Sequence, residues 1–163
     1  MSLYTLLFDP ENSIWVYRIN AGSCNGCEIE ITPLFTPRYD AERFGIKWVG
    51  SPRHADVVLV TGPVTAVAKE SVMEVLSQVP SPHVVIAIGS CAVSGGVFRG
   101  SYALSGPLDN LYPVDLYVMG CPPKPEAILT ALLKSKQILK AKRKGTYQEK
   151  PLIVDPAGVV MKP

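Results

Sequence analysis

Four cysteines, Cys24, Cys27, Cys91 and Cys121, carry the clearest chemistry in this sequence of 163 residues. Cys24 and Cys27 form a Cys-x-x-Cys pair, a spacing that lets both thiols point the same way from one helical turn. Small residues surround them in Ala21-Gly22-Ser23-Cys24-Asn25-Gly26-Cys27, so backbone N–H groups can approach a thiolate closely. Cys91 lies in a similar setting, Gly89-Ser90-Cys91-Ala92-Val93-Ser94-Gly95-Gly96. Cys121 lies in Gly120-Cys121-Pro122-Pro123, where the prolines lack N–H groups and favour an extended loop. Four thiolates gathered together repel one another and need a cation. Such a ligand set fits zinc or an iron–sulfur cluster. Structural zinc sites usually take closely spaced ligand pairs, whereas here one pair is joined by two isolated cysteines. Two blander readings stand beside these. Free cysteines pack as small hydrophobes, and Cys24 with Cys27 alone would make a thioredoxin-like dithiol.

The elements that must position these thiols are legible as short apolar runs. Ile14–Ile19, Asp56–Val60, Val84–Ile88 and Leu116–Val118 read as buried parallel strands, with a shorter edge strand at Ile46–Val49. Helical spacing of apolar residues marks Ala66–Gln78 and Pro125–Lys140. A third helix is expected after Cys24, stopping near Pro33 or Pro37. Ser94–Gly106 reads as a loop, and a short strand is expected at Leu152–Val154. Strands alternating with helices predict an α/β fold: an open, mainly parallel sheet of flavodoxin-like type, with helices on both faces. The expected organisation is one domain over residues 1–150 and an extended C-terminal tail over 151–163. Cys24, Cys91 and Cys121 each follow a strand. In open parallel sheets ligands bind outside the strand carboxyl ends, so three strand ends deliver sulfur to one edge.

Composition narrows the classes. Apolar residues make up 47%, enough for a core without disulfides, and charged residues only 18%. The positive mean hydropathy of +0.19 suggests surface reserved for partners. A net charge of +2 does not argue for nucleic acid. No apolar run approaches a membrane span, and the first ten residues carry no Lys or Arg of a secretory leader. Seven of the basic residues lie between Lys134 and Lys150, against the single acid Glu149. They suit either a helix end complementing its dipole or a dock for an acidic partner or anionic lipid. The glycine-rich loop after Ile88 lacks the Lys-Ser/Thr ending of a phosphate cradle. His54 and His83 read as structural or surface residues, and no Ser-His-Asp arrangement stands out.

Several motifs run in the order of one known family. They are Cys24-Asn25-Gly26-Cys27-Glu28-Ile29-Glu30, Pro37 to Gly45, Pro52-Arg53-His54-Ala55-Asp56, Gly89 to Gly96, and Gly120-Cys121-Pro122-Pro123-Lys124-Pro125-Glu126-Ala127. From about Ile14 to Leu133 the sequence resembles the small subunit of energy-converting, membrane-bound [NiFe]-hydrogenases and the related terminal-cluster subunit of respiratory complex I. The complex I subunit has two adjacent cysteines at the first site. The separated Cys24 and Cys27 look like the hydrogenase branch, and a similar subunit occurs in the membrane-bound sulfur-reducing complex.

The resemblance implies one [4Fe–4S] cluster held by Cys24, Cys27, Cys91 and Cys121. It implies an electron-transfer subunit of a multisubunit oxidoreductase, with no independent catalysis. Electrons would pass between ferredoxin-like iron–sulfur subunits and a nickel–iron site in a large catalytic subunit, beside membrane-embedded subunits and on the cytoplasmic side of the cell membrane. Glu30, Arg38, Arg43 and Arg53 match family positions. Glu30 would lie near the cluster or on a proton route, or be a helix-surface carboxylate. The arginines would place positive charge near the cluster, or form interface salt bridges. The competing readings are a sulfur-reducing or quinone-reducing complex I-type subunit and a zinc-stabilised interaction module.

Overall fold

A computed structural model describes residues 13–147 and 151–161. The expected strands form and pair in parallel: β1 (Ile14–Asn20), β2 (Ile46–Trp48), β3 (Val57–Thr61), β5 (Val84–Ile88) and β7 (Leu116–Val118). The sheet continues through β8 (Leu152–Val154), parallel to β7, and β9 (Val160–Met161), antiparallel to β8. Its order is β2-β1-β3-β5-β7-β8-β9. Over the first five positions this is the neighbour order of the flavodoxin-like doubly wound fold. The segment expected as a tail thus adds hydrogen-bonded strands to the sheet.

β3 and β5 are buried at every position, which is why they read as unbroken Val/Ile/Leu runs rather than alternating ones. Their side chains divide between two cores. Val57, Leu59, Val84, Ile86 and Ile88 face one, and Val58, Val60, Val85 and Ala87 face the other. The first core is covered by α1 (Gly26–Ile31), through Ile31, and by α4 (Pro125–Arg143), through Ile128 and Leu132. The second is covered by α2 (Lys69–Ser77), through Val72 and Leu76, and by α3 (Gly89–Ser94), through Ala92. Each fully buried Leu or Ile contributes about 1.5–3 kcal/mol relative to exposure.

Two boundaries differ from the sequence reading for local reasons, while the helix after Cys24 stops where expected, between Pro33 and Pro37. The helix expected from Ala66 begins at Lys69, because the Thr65 hydroxyl accepts the Ala68 N–H (3.2 Å) in a turn. Val67, expected on the apolar helical face, is instead 93% exposed. The first helix continues as a 3-10 turn, Thr32–Phe35, through Pro33. The loop Ser94–Gly106 contains β6 (Leu104–Gly106), which pairs antiparallel with β4 (Val64–Thr65) in a second, two-stranded sheet.

The basic stretch is largely engaged within the fold. Lys142 bonds the carboxylate of Asp115 and the carbonyl of His83 (2.8 Å), Arg143 bonds Asp56 (2.9 Å), and Lys136 bonds the carbonyl of Phe44. For these three residues the contacts are to other elements of the same fold, which neither expected reading of the stretch describes. Lys150 lies outside the described residues. His83 is structural as expected: its ring nitrogens meet the Pro80 carbonyl (3.1 Å) and the Tyr112 hydroxyl (3.0 Å). His54 is exposed, with its ring 6.0 Å from that of Trp15.

Candidate metal centre

All four cysteines line one cavity of about 160 Å³ at the carboxyl edge of the parallel sheet, together with Ser23, Gly26, Gly62, Ser90, Gly120 and Pro122. Cys24 follows β1, Cys27 lies in the first turn of α1, Cys91 lies in α3 directly after β5, and Cys121 follows β7. No disulfide joins them. Cys27 is buried, Cys91 partly buried, and Cys24 and Cys121 exposed. The edge is tied together by backbone contacts. The Ser90 N–H (2.8 Å) and hydroxyl (3.1 Å) both donate to the Gly120 carbonyl, joining the loop of Cys91 to that of Cys121. The Ala21 N–H donates to the Thr61 carbonyl (2.9 Å), joining the turn of Cys24 to β3.

Glycine is required at two of these turns. Gly89 has φ +86°, and a Cβ there would lie 2.6 Å from the Cys27 sulfur. Gly62 has φ +79°, and a Cβ there would lie 2.4 Å from the Ser23 nitrogen. Both positions need the left-handed backbone and the close approach that only glycine allows.

The thiols act on one another electrostatically. Burial pushes the Cys27 thiol up to about 12, with further increments from Glu28 and from Cys24, Cys91 and Cys121. Cys91 is raised by burial, then by Cys121 and Cys24. Four thiolates at this edge are therefore unfavourable without a cation and favourable with one. The donor set is sulfur alone, and the cavity exceeds the ~30 Å³ that one water occupies in the liquid. Four sulfurs around a space of this size fit an iron–sulfur cluster. Among the described residues, no three His, Cys, Asp or Glu side chains converge tightly enough to hold a single metal ion.

The other residues singled out from the sequence do not line this cavity. Glu30 is half-buried on α1. Arg38 is exposed, over the ring of Tyr39 (5.7 Å), whose hydroxyl donates to Glu126 at the start of α4 (3.0 Å). Arg43 is exposed over the ring of Phe44 (4.8 Å), just before β2. Arg53 is exposed in the turn before β3, so the length of that strand, about 16 Å, separates it from the thiol edge. Arg38 and Arg43 thus each rest on an aromatic neighbour, and Tyr39 reaches the first turn of α4 near the thiol edge.

Sequence reasoning passed over Glu28. It is 5% exposed and bonds the hydroxyls of Ser23 (2.8 Å) and Thr61 (2.5 Å). The signal was present: Cys27, Glu28 and Ile31 share the buried face of α1, and a carboxylate at a core-facing helical position is unusual.

The fold and the site together define the class: a doubly wound parallel α/β domain that gathers four thiols from three strand ends at one edge. The chain belongs to the family described as NADH ubiquinone oxidoreductase, 20 Kd subunit, which matches residues 24–135. It is 56% identical over 133 residues to "Probable membrane-bound hydrogenase subunit mbhJ" of Pyrococcus furiosus, covering 82% of this chain and 80% of that one. It is 44% identical over 151 residues to "Formate hydrogenlyase subunit 7" of Escherichia coli, covering 90% of this chain but 59% of that longer one. Among solved structures, a chain of the membrane-bound sulfane sulfur reductase (MBS), an archaeal respiratory membrane complex, matches with TM-score 0.68 and 35% identity, covering 86% of this chain and 80% of that chain. Among the described residues, no helix is long and apolar enough to cross a membrane.

Proposed function

We propose that this chain is the electron-transfer subunit of a membrane-bound hydrogenase and holds one [4Fe–4S] cluster on Cys24, Cys27, Cys91 and Cys121. The observation that carries the reading is the convergence of four thiols from three strand ends on one cavity. The cluster, when bound, takes up and gives up single electrons. The chain's own residues do the rest. The turns after β1, β5 and β7 fix the sulfurs on the rigid sheet edge, Gly89 leaves room for the Cys27 sulfur, and the buried setting of Cys27 limits water. One close cysteine pair joined by two isolated cysteines from other strand ends suits a multinuclear centre better than the closely paired ligands of a structural zinc site.

The partners follow from the same reading. Val67, Val97 and Tyr102 are 93%, 86% and 101% exposed, in segments flanking the two-stranded sheet or following Cys91. Apolar surface of this kind suits a protein interface, here with a large catalytic [NiFe]-type subunit. A ferredoxin-like iron–sulfur subunit and membrane-embedded subunits complete the complex, with this chain peripheral on the cytoplasmic side. The likeness to the MBS chain keeps one second reading, the equivalent subunit of a sulfur-reducing complex.

The test is Cys121→Ala in the assembled complex, with iron and acid-labile sulfide counted against the unaltered complex. Loss of both from this subunit is the expected result. Unchanged iron and sulfide would remove Cys121 from the ligand set.

A further inference from the structure

The turn that bears the first two cysteines is held by one buried carboxylate. Glu28 follows Cys27 on α1 and is 5% exposed. Its Oε2 accepts from the Ser23 hydroxyl (2.8 Å) and its Oε1 from the Thr61 hydroxyl (2.5 Å). Thr61 is fully buried at the end of β3, and Ser23 directly precedes Cys24. The same Ser23 oxygen accepts the Asn25 N–H (3.2 Å), while the Asn20 side-chain oxygen accepts the N–H groups of Gly22 (2.9 Å) and Ser23 (2.8 Å). The backbone on both sides of Cys24 is therefore fixed by side chains, and one carboxylate adds a side-chain link from that turn to β3 beside the backbone bond of Ala21 to Thr61.

Stability alone does not account for this arrangement. A buried carboxylate whose hydrogen-bond partners are neutral hydroxyls carries a desolvation cost that an apolar residue would not. We infer that Glu28 is the positioning residue of the first thiol pair: by bridging Ser23 and Thr61 it sets Cys24 and Cys27 against Cys91 and Cys121 across the cavity. The inference rests on the reading of these thiols as ligands of an iron–sulfur centre.

The geometry says which replacements retain the bridge. With Glu28→Gln, the amide oxygen accepts from Ser23 and the amide N–H donates to the Thr61 oxygen. The Thr61 proton then turns to the Ile19 carbonyl, which already lies 3.2 Å away. Thr61→Ser keeps the hydroxyl, whereas Glu28→Ala and Thr61→Val each cut the bridge.

The experiment uses the complex purified anaerobically, reading iron per complex and the electron paramagnetic resonance g values of the reduced centre. A wild-type complex without iron and sulfide on this subunit would overturn the proposed function and this inference with it. Given a wild-type signal, Glu28→Gln and Thr61→Ser are expected to keep its g values. Glu28→Ala and Thr61→Val are expected to shift them and to lower the iron content. An unshifted Glu28→Ala spectrum, or a Glu28→Gln spectrum shifted as far as that of Glu28→Ala, would overturn the inference while leaving the proposed function intact. If Glu28→Ala does not assemble, Ser23→Ala decides: shifted g values support the bridge, and unshifted ones overturn it.

Discussion

Gly89 and Cys27 meet with no room to spare: a Cβ on Gly89 would sit 2.6 Å from the Cys27 sulfur, and the glycine holds φ at +86°. Gly89→Ala therefore suffers twice. The left-handed backbone costs a non-glycine residue about 1–2 kcal/mol, and the methyl displaces a proposed ligand. The variant is expected to lose iron and to unfold at lower temperature than wild type. Iron analysis and thermal melting check this, and an iron-replete Gly89→Ala protein with an unchanged melting temperature would contradict it.

The pair Lys142–Asp115 gives a second prediction, about stability alone. One Asp115 oxygen accepts from the Val85 N–H (2.9 Å) and from the Lys142 ammonium (2.8 Å), at the start of β5. Asp115 is 7% exposed. Lys142→Met leaves a nearly buried carboxylate with the Val85 amide, and is expected to cost about 1–3 kcal/mol. Urea denaturation of wild type and variant measures the difference, and equal midpoints would contradict the role assigned to the pair.

Protonation of His83 supplies a third. Burial holds its pKa below the ordinary 6.5, the Pro80 carbonyl acts against that shift, and Lys142 adds to it. The unfolded chain takes up the proton near pH 6.5, whereas the folded chain does so only at lower pH. The contribution of His83 is therefore fully present above pH 6.5 and declines as pH falls below it. His83→Gln is expected to flatten the pH dependence of unfolding in that window. Parallel slopes for wild type and variant between pH 5 and 7 would count against this assignment.

The exposed apolar residues in the segments after β4 and after Cys91 carry a fourth. Val97→Asp and Val67→Asp change residues that are 86% and 93% exposed, so the chain itself is expected to fold normally. Each puts a charge into the proposed interface with the large subunit, where an unpaired charge is unfavourable. Co-purification of the large subunit is expected to drop. Full recovery with both variants would move the interface elsewhere on the surface.

Much of this was legible because burial leaves a pattern. β3 and β5, buried at every position, appear in the sequence as unbroken apolar runs, so Cys91 falls at the end of β5, while Cys121 follows the shorter apolar run of β7, whose central Tyr117 is half-buried. The strands β4 and β6 are not legible, since Val64–Thr65 and Leu104–Gly106 lie among Gly, Pro and Ser residues with no apolar run to mark them. Val67 lies within the apolar spacing of Ala66–Gln78 yet outside the helix, because the Thr65 turn delays the helix to Lys69. The role of Glu28 is hidden in the sequence, since its partners Ser23 and Thr61 come together only when β1 and β3 pair. The arginines at positions 43 and 53 belong to matching motifs, yet they precede strands and so lie toward the amino edge of the sheet.

The proposed function rests on four cysteines holding one iron–sulfur cluster within a hydrogenase complex. Its most direct test is anaerobic purification of the native complex, with iron, sulfide, nickel and zinc counted and hydrogen turnover assayed. Iron and sulfide on this subunit, nickel in the large subunit and hydrogen turnover are the expected result. Iron and sulfide without nickel would shift the assignment to the sulfur-reducing reading, while zinc with no iron would contradict the account outright.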